Sequence, residues 1–157
     1  MPRPWLHVTM QGVGFVDEVS TADTTAISES VRRRLAGVPW QVVKFHRLTA
    51  RQQAIALCPT PTSAVCSIRD AVREGISDVW GVCQVPERSE SYSPHLTVAY
   101  VNTPMSSVPV VKLMETVDPS PVEIAIRSVS LIRLRRVERS YTWDGAEQFN
   151  LGSNGSG

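Results

Sequence analysis

A chain of 157 residues that is 42% hydrophobic and 20% charged holds enough apolar material for one real core, which excludes disordered and fibrous classes. A formal charge of +1 is too small for a protein that holds long nucleic acid by counterion release alone, so a phosphate ligand would be met by local groups. Three cysteines, Cys58, Cys66 and Cys83, lack C-x-x-C spacing, which argues against a disulfide framework or a zinc site and for reduced thiols. No apolar run approaches the roughly 20 residues of a membrane span, and no basic-then-apolar leader opens the chain. A cytoplasmic location is the expectation.

In chain order, Trp5 to Val13 reads as a strand broken by Gly12 and Gly14. Ser20 or Thr21 can cap a helix in which Ile27, Val31 and Leu35 recur at helical spacing, and Gly37 with Pro39 stops it. Arg32, Arg33 and Arg34 fall off its apolar face. Trp40 to Leu48 and Gln53 to Cys58 are β-rich runs around a polar turn at Thr49 to Gln52, a hairpin pattern. Thr60 is placed to cap a second helix with Pro61 in its first turn, and Val65, Ile68, Val72, Ile76 and Val79 continue it despite Gly75.

Residues 84 to 94 are polar and proline-bearing, so they form a connecting loop. Because Pro94 has no N–H for a ladder, a strand begins at or just after it, which puts His95 at the strand mouth. Thr103-Pro104 ends that strand, and Ser107 can cap a helix through Val110, Val111, Leu113, Met114 and Val117. Val122, Ile124 and Ile126 alternate as a strand, Val129 to Val137 is another, and Tyr141 to Leu151 suggests a last hairpin turning at Asp144-Gly145. Residues 152–157 are a Gly/Ser-rich tail excluded from the fold.

Two stretches share one pattern, His7-Val8-Thr9-Met10 and His95-Leu96-Thr97-Val98, offset by about 88 residues. In extended chain, residues two apart share a face, so each copy sets an imidazole beside a hydroxyl while its apolar members face the other way. A single run of this kind is ordinary strand sequence; its recurrence at equivalent places in a strand, helix, strand, strand order is what carries information. The chain is therefore read as one α+β domain over residues 1–151, a degenerate duplication with halves near 1–83 and 91–151 that can intertwine.

Lobes facing each other would bring two imidazoles and two hydroxyls to one cleft. Those groups suffice for phosphoryl transfer without a metal. One histidine removes a proton from the attacking oxygen, the other protonates the leaving oxygen, and the threonines donate to the non-bridging phosphate oxygens. Histidine suits both roles because it titrates near physiological pH. Metal binding is the rival chemistry for paired histidines, but neither motif carries a carboxylate or cysteine at ligand spacing. His46 has no threonine at its second neighbour and reads as structural.

The paired motifs resemble the two H-x-T-x signatures of the 2H phosphoesterase superfamily, in particular bacterial proteins called 2'-5' RNA ligase or RNA 2',3'-cyclic phosphodiesterase. The similarity runs over most of residues 5 to 151 and takes in the flanks Trp5-Leu6, Pro94, Ala99 and Tyr100. It implies a bilobal α+β fold with two antiparallel sheets lining a central cleft and helices outside. It also implies catalysis by His7, Thr9, His95 and Thr97 without metal or other cofactor. The expected substrate is a small nucleotide or an RNA end bearing a 2',3'-cyclic phosphate. A 2'-5' linkage or cyclic oligonucleotide is the near variant, and a non-hydrolytic binding or biosynthetic protein using the same cleft is the alternative. Members of that superfamily usually have a strand before the first motif, whereas six residues precede His7 here. A monomer is expected, with dimerisation through an uncovered edge as the other possibility.

Around the four residues, Tyr100, Tyr92 and Trp143 are candidates to stack a nucleobase. Arg47, Arg127, Arg133 and Arg135 are candidate phosphate contacts by charge, and strand alternation puts Arg133 and Arg135 on one face.

Overall fold

The computed structural model describes residues 2–51, 54–88, 90–100, 106, 108–137 and 140–153. A single 3-10 turn, Arg3–Trp5, opens the chain. The expected strand from Trp5 to Val13 does not form; the segment makes one antiparallel bridge, Val8 to Leu96. The reason lies in where its carbonyls go. The Tyr92 hydroxyl donates to Thr9 O at 2.9 Å and Arg69 Nε donates to Met10 O at 2.8 Å, so side chains satisfy groups that a ladder would otherwise pair.

Helix α1, Thr21–Leu35, is capped by Ser20, whose Oγ accepts from the Asp23 N–H at 3.0 Å. Helix α2, Thr62–Trp80, starts differently from expectation: Thr60 ends a strand, Pro61 is the N-cap residue, and the Thr62 hydroxyl donates to Pro59 O at 3.2 Å. Gly81, at φ 82°, closes α2. The two helices pack closely enough that a Cβ on Gly75 would fall 2.7–2.9 Å from atoms of Val31. A glycine in mid-helix is the condition for that approach. Ile27, Val31 and Leu35 of α1 then meet Ile68, Val72 and Ile76 of α2 in the main core, closed by Phe149.

Four strands, β1 (Gln41–Arg51), β2 (Ala54–Thr60), β3 (Leu96–Tyr100) and β4 (Val122–Ile126), form an antiparallel sheet in the order β3-β2-β1-β4. Each half of the sequence contributes two of them. The first hairpin is tighter than expected, because β1 runs on to Arg51, paired with Ala54; Gln52 and Gln53 lie outside the described residues. His46 sits, exposed, where the β1–β2 register shifts between Phe45 and Arg47. Helix α3, Val108–Glu115, begins with the Val108 N–H donating to Ser106 Oγ at 3.3 Å. The expected cap Ser107 and breaker Thr103-Pro104 fall outside the described residues.

Strands β5 (Ser128–Val137) and β6 (Ser140–Asn150) form a separate antiparallel ribbon. Asp144-Gly145 is not a hairpin turn. The register steps from Leu131↔Glu147 to Arg133↔Asp144, leaving Ile132 opposite two residues, and Gly145 at φ 61° takes the left-handed position of a bulge. Asp-Gly suits either structure locally, and pairing with β5 along the whole of β6 selects the bulge. Gly152, assigned to the tail from sequence, is docked instead: its N–H donates to Val38 O at 2.8 Å and Trp40 N–H donates to its carbonyl at 3.1 Å. A Cβ there would collide with the carbonyl oxygen of Ala36.

Candidate active site

Antiparallel pairing of Val8 with Leu96 puts Thr97 opposite His7 and His95 opposite Thr9. Three apolar members of the motifs, Val8, Met10 and Leu96, turn inward and pack on a core cluster of Val43, Phe45, Ala64 and Val65. The polar members turn to the cleft. His7, Thr9, His95 and Thr97 line one cleft of about 240 Å³, together with Tyr100 of β3 and Leu134 of β5. The cleft thus lies between the β3 edge of the four-stranded sheet and the β5–β6 ribbon. His95 stands immediately before β3, as the position of Pro94 suggested.

Both imidazoles are held in the same way. Nδ1 of His7 donates to the carbonyl of Trp5 at 2.8 Å, and Nδ1 of His95 donates to the carbonyl of Ser93 at 2.8 Å. A carbonyl only accepts, so each Nδ1 carries a hydrogen, and in its neutral form a ring so tethered presents Nε2 as its acceptor. Ser93 is in turn held by Arg51, whose Nη2 donates to its hydroxyl at 2.8 Å. On the other side the Trp143 ring stands edge-on to His7, centroids 5.2 Å apart at 80°, and Trp5 meets Trp143 at 4.8 Å and 87°. Thr97 is 8% exposed, whereas Thr9 is open.

The flanking candidates separate. Tyr100 lines the cleft and Trp143 touches His7. Tyr92 does neither: its ring lies 4.2 Å from the Arg69 guanidinium, its hydroxyl bonds Thr9 O, and burial pushes its phenol up to about 12. Arg133 and Arg135 do share a face, as alternation requires, but it is the face away from the cleft, since Leu134 between them points in. Both pair with Asp144, at 3.7 and 3.0 Å. Arg127 stacks on Trp40 at 4.9 Å, and Arg47 is exposed on β1.

Arg69 and Leu134 escaped the sequence reading. A signal for Arg69 existed: it lies four residues after Val65 and three before Val72, a charge on the apolar stripe of α2. Leu134 carried none, because an alternating strand shows which residues share a face but not what that face covers. Among the described residues, no three His, Cys, Asp or Glu side chains are grouped to hold a metal, and no helix is long and apolar enough to cross a membrane.

The same architecture occurs in solved structures. TT0787 of Thermus thermophilus is 16% identical at a TM-score of 0.67, covering 98% of this chain and 82% of that one. Escherichia coli LigT complexed with 3'-AMP is 14% identical at 0.69, covering 94% and 78%. LigT complexed with ATP is 14% identical at 0.67, covering 98% and 80%. At such identities the likeness is one of fold. No curated protein sequence matches this chain. A sequence profile of the 2'-5' RNA ligase superfamily matches residues 1–138, the span that holds both motifs and every residue lining the cleft, and the chain belongs to that superfamily of phosphoesterases and ligases.

Proposed function

We propose that this protein is a metal-independent phosphodiesterase that opens 2',3'-cyclic phosphates, on nucleotides or at RNA ends, with His7 and His95 as its acid and base. The observation that carries the reading is the matched tethering of the two imidazoles, each with Nδ1 on a backbone carbonyl two residues earlier and both rings on one cleft. Tethering of that kind fixes tautomer and ring orientation, leaving both Nε2 atoms to the ligand.

In the proposed reaction water attacks phosphorus in line with the leaving ribose oxygen. One neutral imidazole takes the proton of that water as the new P–O bond forms. The partner, protonated, gives its proton to the ribose oxygen as the old P–O bond breaks, so a monoester and a free hydroxyl result. Thr9 and Thr97 donate to the non-bridging oxygens, where charge gathers in the transition state. That LigT is known in complex with 3'-AMP and with ATP supports a small nucleotide as the ligand class.

Turnover of 2',3'-cyclic nucleotides, 2'-5' dinucleotides and cyclic dinucleotides, each with and without EDTA, tests the reading. Preference for the 2',3'-cyclic substrates, unchanged by chelation, is expected. Activity lost to EDTA and restored by a divalent ion would replace it with a metal mechanism, and binding without turnover would make the cleft a receptor.

A further inference from the structure

We infer that Tyr92 and Arg69 are positioning residues that set the two motifs relative to each other. The inference rests on the two-histidine reading of the cleft. Tyr92 belongs to the loop that delivers the second motif, three residues before His95, yet its hydroxyl donates to the carbonyl of Thr9 in the first motif at 2.9 Å. One side chain thus ties the two segments together.

Arg69 holds the tie from α2. It is 2% exposed, and its Nε donates to Met10 O at 2.8 Å while an Nη reaches Glu87 O at 3.4 Å. The same guanidinium lies 4.2 Å from the centre of the Tyr92 ring, a cation–π contact strengthened by exclusion from water. One turn later, Arg73 Nη1 donates to Gln11 Oε1 and to Pro86 O, both at 2.8 Å. Two arginines of one helix therefore grip residues 10 and 11 on one side and residues 86 and 87 on the other.

These bonds have work beyond packing. An apolar residue would complete the α2 stripe at position 69 without the desolvation cost of a buried charge, so the guanidinium is accounted for by its donors. The nearer of its acceptors, Met10 O, belongs to the first motif, which has one β-bridge rather than a ladder to hold it. With Val8 alone paired to Leu96, rotation of the segment about that bridge would move His7 and Thr9 in opposite directions relative to His95. Tyr92 and Arg69 block that rotation at Thr9 and Met10, and misplacement of an acid or base by about 1 Å can cost on the order of 10²-fold in rate.

Tyr92→Phe tests this, since it keeps the ring over Arg69 and deletes only the hydroxyl. The expected result is a kcat about tenfold lower, the scale of one hydrogen bond, with KM unchanged, a thermal midpoint close to wild type, and shifted imidazole NMR signals for His7 but not His46. Arg69→Lys, which keeps the charge and loses the fork, should show the same pattern more strongly. Wild-type kcat with unmoved His7 signals in Tyr92→Phe overturns the inference while His95→Ala still abolishes turnover. A fall in kcat that only tracks a fall in thermal midpoint, with His7 unmoved, overturns it equally. If His95→Ala retains full turnover, the two-histidine reading fails instead, and the His7 signals in Tyr92→Phe still decide whether the Tyr92 hydroxyl positions that ring.

Discussion

Val8 pairs with Leu96 in a single antiparallel bridge, and that one pairing sets His7 across from Thr97 and Thr9 across from His95. The arrangement has the sense of a local two-fold axis, which the matching 2.8 Å Nδ1 contacts to Trp5 and Ser93 repeat. A phosphate on that axis would meet one imidazole and one hydroxyl from each motif.

An acid and a base on opposite sides of one phosphorus must differ in protonation state. The rate is therefore expected to show a bell-shaped dependence on pH, reporting the pair rather than either residue. His7→Ala and His95→Ala should each lower kcat/KM by roughly 10²–10⁴-fold, and the double variant should lose far less than the product. His46→Ala, at the exposed register shift of β1, should leave kcat/KM unchanged. Full activity in His7→Ala would remove the mechanism.

The threonines are expected to differ. A hydrogen bond to a charged group contributes roughly 1.5–3 kcal/mol, and it is stronger where water is excluded. Thr97 is shielded and Thr9 is open. Single-turnover rates of Thr97→Ala should thus fall further below wild type than those of Thr9→Ala; the reverse order would mean that the ligand binds toward the open side.

Trp143 touches one histidine of the pair. An edge-to-face aromatic contact contributes about 0.5–1.5 kcal/mol, so Trp143→Leu should reduce kcat by roughly 2- to 12-fold. The His7 imidazole signals should broaden or shift while those of His95 stay in place. A loss confined to KM would instead mark Trp143 as a wall for the substrate.

Gly75→Ala sets two effects against each other. Helix propensity favours alanine by about 1 kcal/mol, but the new Cβ would press on the backbone and side chain of Val31, an overpacking cost of roughly 1–3 kcal/mol. Backbone cannot yield as a flexible side-chain tip can, so net destabilisation is expected in urea unfolding. A stabilised variant would show that α1 and α2 can separate freely.

Asp78 of α2 receives Arg34 Nη2 at 2.7 Å, Arg34 Nε at 3.0 Å and the Ser30 hydroxyl at 2.6 Å, all from α1. The hydrogen bond from Arg34, then that from Ser30, hold its carboxyl well below the ordinary value of 3.8. A depressed carboxylate adds stability above its unfolded value and loses it as pH falls through the folded one. Asp78→Asn should accordingly be less stable than wild type near neutrality, with the gap narrowing below about pH 4. A gap independent of pH would assign its role to shape, not charge.

Local patterns by themselves determined much of this protein. The Ser20 cap, the apolar repeats of α1 and α2, the start of β3 after Pro94 and the recurrence of His-x-Thr are written in neighbouring residues, because caps, helical periodicity and alternation act over a few positions. What local pattern could not decide was partnership. Strand propensity from Trp5 to Val13 yielded to Tyr92 and Arg69, which take the carbonyls of Thr9 and Met10 from 83 and 59 residues away in sequence. Asp144-Gly145 became a bulge because β5 pairs along the whole of β6. Arg133 and Arg135 share a face as expected, but only the placement of the ribbon turned Leu134 to the cleft and the arginines to Asp144. Likewise the two motifs meet through Val8 and Leu96, a contact across 88 positions that no periodicity encodes, since it is set by which apolar faces bury together in the finished core.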